Sequence, residues 1–502
     1  MRAGRSTVGA AAGLVLVSLA ASGSLLSPPS YDPRPVAAHQ IYHGLPAQPA
    51  GEGTAVRADL PIRSEEVRVS VRGGIGLPAT VVSPATPGRY PALVFVQGSG
   101  RADRGEFVTQ ARHLAASGVV TLVYDKRSEG YSFRNRDFGL LADDALAAVQ
   151  VLRARPDVDP ARTGLWGVSE GTWVVPVAAA KSRDVGFTVM VSAPNVTPLR
   201  QVAWALNRQL DRLHAPSGVY NLLDKGMGAV GLGFLHYDST PWLRRIKQPV
   251  LALYGTDDPS IPFVESTRVL ENSLRQAGNE NYTIRFFPGA DHAMRINGGE
   301  FTPRYLGTLA GWIRGLPDTA RPAAGEQIAG ATPVQRYAVA DVPVAPWYAG
   351  GAVLGLALCM AGIGYVAGPV AAVVTRLRNH DMLIPVETGQ QRWNTIRPRL
   401  GRLTMTVFGL LAAVTALFTM LVLFAVNQAG AWPAVLAGWL VVRTLAVLLL
   451  LQQVTTVAEI VRNVRDGWHP TRWQRLTVVG ITGGAGLLLF AAAYYGLFAI
   501  PW

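Results

Sequence analysis

Cysteine is almost absent from this sequence, because Cys359 is the single cysteine among 502 residues. A lone cysteine excludes an intrachain disulfide and a metal site built from several thiolates. Histidine is scarce as well, with eight residues, and none of them belongs to the H-E-x-x-H pattern of zinc hydrolases. We therefore expect this chain to use no metal ion and no other cofactor.

Acidic residues are few near the two ends of the chain. The net charge is +13, and residues 31–346 contain 33 basic and 29 acidic side chains, whereas the remaining residues contain 13 basic and 4 acidic ones. The basic excess lies beside apolar segments, where it indicates membrane topology. No basic stripe is interleaved with aromatic residues, so we expect no nucleic-acid partner.

Long apolar runs occupy the last third of the sequence, in a chain with 49% hydrophobic residues and a mean hydropathy of +0.22. Four of them are long enough to cross a bilayer as helices: Trp347–Val374, Leu403–Val426, Pro433–Ile460 and Leu476–Ile500. The sequence therefore predicts an all-α region of four transmembrane helices over residues 347–502, in contact with the lipid bilayer.

Arginine dominates the loops beside these runs. Six arginines lie between the first and second runs and four between the third and fourth, which predicts two cytoplasmic loops. At the N-terminus, Arg2 and Arg5 precede the uncharged run Val8–Leu26, so residues 1–27 are a cleaved signal peptide or an uncleaved anchor. We expect a multi-pass cell-membrane protein whose middle part is extracytoplasmic. The predominance of arginine over lysine suggests a GC-rich bacterial source.

Strands and helices alternate over residues 61–316, between Pro- and Ala-rich linkers at 28–60 and 317–346. An antiparallel pair is predicted first, at Val67–Val71 and Ala79–Ser83. Buried strands are then predicted at Ala92–Val96, Val119–Tyr124, Thr163–Trp166, Phe187–Ser192, Val250–Tyr254 and Thr283–Phe287. Intervening helices are predicted at Phe107–Ala116, Leu140–Ala154 and Phe263–Ala277. This alternation predicts an α/β fold with a mostly parallel, doubly wound sheet.

One short block within this region carries a candidate nucleophile. Residues Gly167–Gly171 read G-V-S-E-G and lie between a predicted strand and a predicted helix. A G-x-S-x-G sequence in that context is a nucleophile elbow, whose glycines permit a tight turn. The turn would expose the hydroxyl of Ser169 at the N-terminus of a helix, where negative charge is favoured.

The acid and the base of a catalytic triad would follow the serine along the chain. Asp258 comes after the strand Val250–Tyr254 and is the preferred acid, with Asp257 as the alternative. Either aspartate could instead cap the following helix. His292 follows the next strand and is the histidine with the matching order and loop position. It would take the serine proton while the aspartate orients its ring.

An oxyanion hole would complete this arrangement. One donor is expected to be the backbone N–H of Glu170, the residue after the nucleophile. The other is expected from the loop after the strand Ala92–Val96, with the N–H of Ser99 preferred and that of Gly98 as the alternative.

Together these motifs resemble the α/β-hydrolase superfamily, in the branch of serine aminopeptidase-type, dienelactone hydrolase-type and acyl-thioesterase-type enzymes. The resemblance extends from Glu65 to Leu316 and implies the fold and the triad rather than a substrate. Its segments are Q-G-S-G at 97–100 with Asp103-Arg104, Y-D-K-R-S-E-G-Y-S at 124–132, the elbow, G-T-D-D-P-S-I-P at 255–262 and Asp291-His292. Two residues depart from the pattern: Gln97 stands where many relatives have histidine, and Ser128 stands where glycine is usual.

Residues 195–247 interrupt the alternation at a point where this superfamily inserts a cap. The segment is apolar enough to cover a substrate pocket, and Trp204 and Phe234 are candidate pocket residues. The alternative is a loop that packs on the domain. We interpret the segment as a small helical cap.

The preferred function is a membrane-tethered extracytoplasmic serine hydrolase that cleaves a small-molecule or lipid-like ester or thioester. A serine peptidase is the first alternative, and Glu170, Asp103 or Glu129 could then bind a substrate amine. A non-catalytic membrane module or scaffold is the second, since Arg443 lies inside an apolar run, where a charge is costly. The oligomeric state stays open.

Overall fold

The computed structural model describes residues 34–37, 42–48, 58–100, 103–132, 134–229, 231–323, 325–350, 387–427 and 432–499, with scattered positions between 352 and 370. The chain divides into two compact units. The sheet unit contains the described residues of Asp32–Arg208 and Leu232–Ala340, and the helical unit contains those of Gln209–Gly231 and Asp341–Trp502. The predicted N-terminal apolar run lies outside the described residues.

A nine-stranded sheet forms the centre of the sheet unit, in the order β1-β2-β4-β3-β5-β6-β7-β8-β9. The strands are β1 Ile62–Val71, β2 Ile75–Pro84, β3 Tyr90–Val96, β4 Val120–Tyr124, β5 Val158–Val168, β6 Phe187–Val191, β7 Val250–Gly255, β8 Tyr282–Phe287 and β9 Ile328–Gly330. β2 pairs antiparallel with β1 and with β4, and the remaining pairs are parallel. The predicted mostly parallel α/β sheet and its antiparallel opening pair are confirmed.

The α-helices alternate with these strands and continue beyond the sheet. They are α1 Val108–Ala116, α2 Phe138–Arg153, α3 Gly171–Lys181, α4 Pro198–Arg212, α5 Ser217–Ala229, α6 Thr240–Leu243, α7 Phe263–Gln276, α8 Tyr305–Arg314, α9 Glu387–Asn427, α10 Trp432–Arg465 and α11 Arg472–Tyr494. Short 3-10 turns occur at Arg104–Phe107, Gly233–His236, Asp318–Ala320 and Trp347–Ala349.

Two hydrophobic cores cover the opposite faces of the sheet, as the alternation of strand side chains requires. Along β7, Val250 and Ala252 belong to the core beneath α2, α3 and α7, whereas Leu251 belongs to the core beneath α1 and α8. In the second core the ring of Trp166 packs against that of Phe95 at 4.8 Å between centroids. Burial on both faces explains why these strands read as continuous apolar runs.

The sheet unit extends into both segments that were predicted as linkers. β9 lies within residues 317–346 and pairs parallel with β8, with Ile328 opposite Ile284. The N–H of Gly330 donates to the carbonyl of Pro46, at 2.9 Å, in the N-terminal linker. Gly330 has a φ of +108°, which favours glycine. A three-residue strand ending in glycine leaves no periodic signal in a Pro- and Ala-rich segment.

Three helices in the described part of the chain are long and apolar enough to cross a membrane: Gln391–Leu421, Trp432–Arg465 and Arg472–Tyr494. They correspond to the last three predicted runs. The first predicted run, Trp347–Val374, is described only in part, so the predicted number of four is not confirmed. Helix α9 begins at Glu387 rather than near Leu403, because several arginines predicted in a loop continue the same helix.

The predicted cap is helical, but its residues are divided between the two units. Gln209–Gly231, which includes α5, groups with the apolar helices, and the flanking residues group with the sheet. Gly218 on α5 lies against the indole ring of Trp439 on α10, where an added Cβ would meet the ring at 2.5 Å. Lys225 on α5 donates to the carbonyl of Tyr494 at 2.8 Å. Helix α5 therefore contacts α10 and α11, two of the helices that are apolar enough to cross a membrane.

Candidate active site

The predicted elbow joins β5 to α3. Ser169 has a φ of +53°, a left-handed conformation that non-glycine residues adopt where a turn demands it. Its N–H donates to the carbonyl of Val191 at 3.1 Å, which ties the turn to β6. A Cβ on Gly167 would lie 2.7 Å from the carbonyl oxygen of Gly171, and a Cβ on Gly171 would overlap the carbonyl oxygen of Val96. Both glycines are therefore required by close backbone contacts.

The candidate acid and base meet at the neighbouring strand ends. Nδ1 of His292, after β8, lies 2.9 Å from Oδ2 of Asp258, after β7. Oδ1 of Asp258 accepts the N–H of Ser260 at 2.7 Å, and the carboxyl group is buried. Asp257 is exposed and points its carboxyl group toward Thr256. The structure thus pairs His292 with Asp258 and not with Asp257.

Electrostatics around His292 favour its protonated form. Burial lowers the pKa of His292, but the negative charge and hydrogen bond of Asp258, with a contribution from Asp291, leave the pKa raised above its ordinary value of 6.5. The imidazole side chain is 32% exposed, so Nε2 can reach a ligand or solvent while Nδ1 is bound to Asp258.

The loop that carries His292 is fixed by hydrogen bonds. Oδ1 of Asp291 accepts the N–H groups of Ala293 and Arg295, both at 2.9 Å. The hydroxyl of Ser192 donates to the carbonyl of His292 at 2.9 Å. The imidazole is therefore positioned by its backbone as well as by Asp258.

The loop after β3 lies beside the nucleophile. A Cβ on Gly98 would be 3.6 Å from Cβ of Ser169. The carbonyl of Gly98 accepts a hydrogen bond from Nζ of Lys126 at 2.6 Å. Because C=O and N–H point in opposite directions in a trans peptide, the N–H of Ser99 points away from Lys126. Gln97, where many relatives have histidine, is buried and donates its side-chain amide to the carbonyl of Tyr124.

Comparison with known proteins identifies similar sequences over the same region. Residues 107–315 match the model of the prolyl oligopeptidase family, and this range includes the elbow, Asp258 and His292. This domain has the α/β-hydrolase fold. Its relatives place it among the serine hydrolases.

The relatives of this α/β hydrolase catalyse different reactions, as their names state. Esterase EstD of Thermotoga maritima is 28% identical over 270 residues, which are 48% of this chain and 63% of that protein. The peroxisomal succinyl-coenzyme A thioesterase of Mus musculus is 26% identical over 235 residues, 45% of this chain and 53% of that protein. Dipeptidyl-aminopeptidase B of Aspergillus niger is 24% identical over 224 residues, 42% of this chain and 23% of that protein. The chain therefore spans less than two thirds of each.

A buried polar cluster lies behind the elbow of the α/β hydrolase. Oε1 of Glu170 accepts from Nζ of Lys126 at 2.7 Å and from the hydroxyl of Tyr131 at 2.7 Å, and its second oxygen pairs with Arg136. Burial raises the pKa of Tyr131 to about 12, so its hydroxyl remains a donor. Burial also lowers the pKa of Lys126, against the attraction of Glu170. This cluster was not predicted from the sequence, although Lys126 and Tyr131 lie in the Y-D-K-R-S-E-G-Y-S segment.

The two candidate pocket residues have different surroundings. Trp204 is 4% exposed and its indole N–H donates to the carbonyl of Tyr337 at 2.9 Å, so it packs onto the segment after β9. Phe234 is half-buried and its ring lies 4.7 Å from the guanidinium carbon of Arg136. Phe234 is thus next to the Glu170 cluster. Among the described residues, no group of three His, Cys, Asp or Glu side chains could hold a metal ion.

Proposed function

We propose that this chain is a membrane-tethered, extracytoplasmic serine hydrolase that cleaves carboxylic esters or thioesters through Ser169, His292 and Asp258. The observation that carries the proposal is the 2.9 Å contact between His292 Nδ1 and the buried Asp258 carboxylate, at the sheet edge where the elbow also lies. A buried carboxylate on Nδ1 leaves Nε2 as the base, which is the arrangement of a Ser-His-Asp triad.

The reaction follows from these groups. Oγ of Ser169 attacks the substrate carbonyl carbon while Nε2 of His292 accepts the hydroxyl proton. The N–H groups of Glu170 and Ser99, with Gly98 as the alternative to Ser99, stabilise the oxyanion of the tetrahedral intermediate. The intermediate collapses to an acyl-enzyme as His292 returns the proton to the departing alcohol or thiol. Water then attacks the acyl-enzyme by the same route, which releases the acid and restores Ser169.

The Glu170 cluster favours an ester or thioester over an aminoacyl substrate. An aminopeptidase needs a carboxylate for the substrate amine, but the Glu170 carboxylate already accepts bonds from Lys126, Tyr131 and Arg136. Asp103, another candidate for binding the amine, also already accepts a hydrogen bond, because its Oδ1 accepts the N–H of Gly105 at 2.7 Å. Peptidase activity remains the second candidate because the prolyl oligopeptidase family model matches residues 107–315.

The apolar helices support the membrane part of the proposal. Tethering raises the effective concentration of substrates carried in the same bilayer, which favours acyl esters of medium or longer chain. Arg443, which motivated a scaffold interpretation, donates through Nε to the carbonyl of Leu497 at 3.1 Å, within the helical unit. A structural partner for this arginine weakens the argument for a transport or scaffold function.

The test uses the full-length purified chain and a fluorophosphonate probe, which forms a covalent bond with an activated serine. We expect labelling of the wild type and none of Ser169→Ala, with Ser99→Ala as a labelled control. Labelling that persists in Ser169→Ala would refute the assigned nucleophile. A chain-length series of p-nitrophenyl esters beside aminoacyl-p-nitroanilides then separates the candidates: activity restricted to the anilides would establish a peptidase.

A further inference from the structure

An apolar cavity of about 340 Å³ lies within the helical unit, apart from the residues of the triad. Its walls come from α5, α9 and the end of α11, and they include Leu223, Gly226, Leu411, Val414, Phe418 and Leu488. All of these residues belong to one compact unit. The cavity therefore belongs to the part of the chain that contains the candidate membrane-spanning helices.

The polar atoms in the wall are already bonded. The hydroxyl of Thr415 donates to the carbonyl of Leu411 at 2.9 Å, and that of Thr419 donates to the carbonyl of Thr415 at 2.9 Å. Both hydroxyl protons are thus used within α9 itself. A cavity without polar partners does not hold ordered water and favours an apolar ligand.

The cavity is elongated along the helices. Its wall on α9 extends from Leu410 to Leu421, which at the helical rise of about 1.5 Å per residue is roughly 16 Å. Gly226 on α5 lines this space, and a Cβ at this position would meet no heavy atom within 4 Å, so a larger side chain there would extend into it. An apolar space of this length suits an alkyl chain.

Two cationic side chains lie at the end of α11 that contributes to the wall. Lys225, next to Gly226, donates to the carbonyl of Tyr494 at 2.8 Å, and Arg443 donates to the carbonyl of Leu497 at 3.1 Å. Tyr495 and Leu497 are themselves wall residues. Two basic side chains therefore lie beside one end of an apolar wall, which is complementary to an acyl chain with an anionic headgroup.

We propose that this cavity binds one acyl chain of an anionic membrane phospholipid, with the headgroup at Lys225 and Arg443. The surrounding helices have the length and composition of membrane spans, so acyl chains are the apolar molecules at this depth of a bilayer. No residue of the triad lines this site, and its existence does not depend on the proposed hydrolase activity.

Photocrosslinking of the full-length chain in lipid nanodiscs tests the proposal. The probe is phosphatidylglycerol with a diazirine on one acyl chain, in a phosphatidylcholine background, and the labelled peptides are identified by mass spectrometry. We expect labels to concentrate on the cavity walls of α5, α9 and α11. Gly226→Leu should reduce them roughly tenfold, the loss expected when about two methylene groups are excluded.

The matched control is Gly401→Leu. Gly401 lies on α9 outside the cavity, and a Cβ there also meets no heavy atom within 4 Å, so the same substitution should leave labelling unchanged. Thr415→Phe fills the cavity from a different helix and should reproduce the effect of Gly226→Leu. Equal labelling of all lipid-facing helices, or wild-type labelling in folded Gly226→Leu and Thr415→Phe, would overturn the acyl-chain site.

The headgroup is tested with two probes. Lys225→Gln should lower labelling by the phosphatidylglycerol probe several-fold and leave labelling by a phosphatidylcholine diazirine probe unchanged. The thermal unfolding temperature of each variant, measured in the same nanodiscs, shows whether it is folded. Equal labelling of the wild type by the two probes would contradict an anionic headgroup.

Discussion

Lys126 forms a buried ion pair with Glu170, at 2.7 Å between Nζ and Oε1, and the two side chains are 4% and 1% exposed. The same ammonium group donates to the carbonyl of Gly98 at 2.6 Å. One side chain therefore connects the loop after β3 with the residue that follows the candidate nucleophile. These two segments supply the two proposed oxyanion donors, so Lys126 is a candidate positioning residue.

Lys126→Met is expected to lower kcat with little change in KM. Without the ammonium group the Gly98–Ser99 peptide loses its restraint, and loss of one oxyanion donor typically costs about 10²–10³ in kcat. The affinity of a boronic acid, which mimics the tetrahedral intermediate, should fall in parallel with kcat. Steady-state kinetics and inhibition constants on the detergent-solubilised full chain measure both effects.

Lys181→Met is the matched control for that variant. Lys181 also pairs with a carboxylate, Asp143, at 2.7 Å, but these side chains are 34% and 41% exposed. Exposed ion pairs contribute little to stability, so kcat and inhibitor affinity should stay at wild-type values. The same losses in both lysine variants would show that Lys126 has no specific effect on the oxyanion loop.

Asp258→Asn should reduce kcat by about 10⁴, the loss that follows when an amide replaces the triad carboxylate. In the wild type, Nδ1 of His292 lies beside the buried Asp258 carboxylate, which fixes the tautomer of the imidazole. The amide would favour the wrong tautomer. Asp257→Asn is the control, because that carboxyl group is exposed and adjacent to the same loop. If Asp257→Asn were the more damaging change, the choice of acid would be wrong.

The pH dependence should report the raised pKa of His292. The imidazole must be neutral to accept the serine proton, so kcat/KM should fall as the pH decreases through a value above 6.5. In Asp258→Asn the attraction is lost and burial still lowers the pKa, so the residual activity should have its inflection at lower pH. A wild-type inflection below the ordinary pKa of histidine would contradict the ion pair.

The raised pKa of His292 should also make the stability of the fold depend on pH, in the direction opposite to activity. A group whose pKa is higher in the folded state than in the unfolded state stabilises the fold. This contribution is fully present at pH values below the unfolded-state pKa and disappears as the pH rises through the folded-state pKa. The wild type should therefore lose a stabilising contribution in the pH range in which it gains activity. Asp258→Asn should lack that loss.

Much of the site could be predicted because the sequence patterns that indicate it involve residues close together in the chain. The glycines of the elbow are required by contacts with Val96 and within the turn, and the strands are apolar because both faces are covered. The Lys126–Glu170 pair joins residues 44 positions apart, and charged residues carry no sign of being buried. The division of the cap between two units was likewise not predictable, since α5, which ends at Ala229, packs on α10, which begins only at Trp432.

The predicted membrane topology, with the hydrolase domain outside the cytoplasm, depends on the arginines beside the apolar helices. Arg392 now lies on α9 and donates to the carbonyl of Asn463 at 2.9 Å, so the two arginine-rich segments meet at one end of the helical unit. Reporter fusions that work only outside the cytoplasm should be active after Gly315 and near Gly430. They should be silent near Gln390 and Gly467. A cytoplasmic reporter should give the reverse pattern, and activity of the extracytoplasmic reporter near Gln390 and Gly467 would place the hydrolase domain in the cytoplasm.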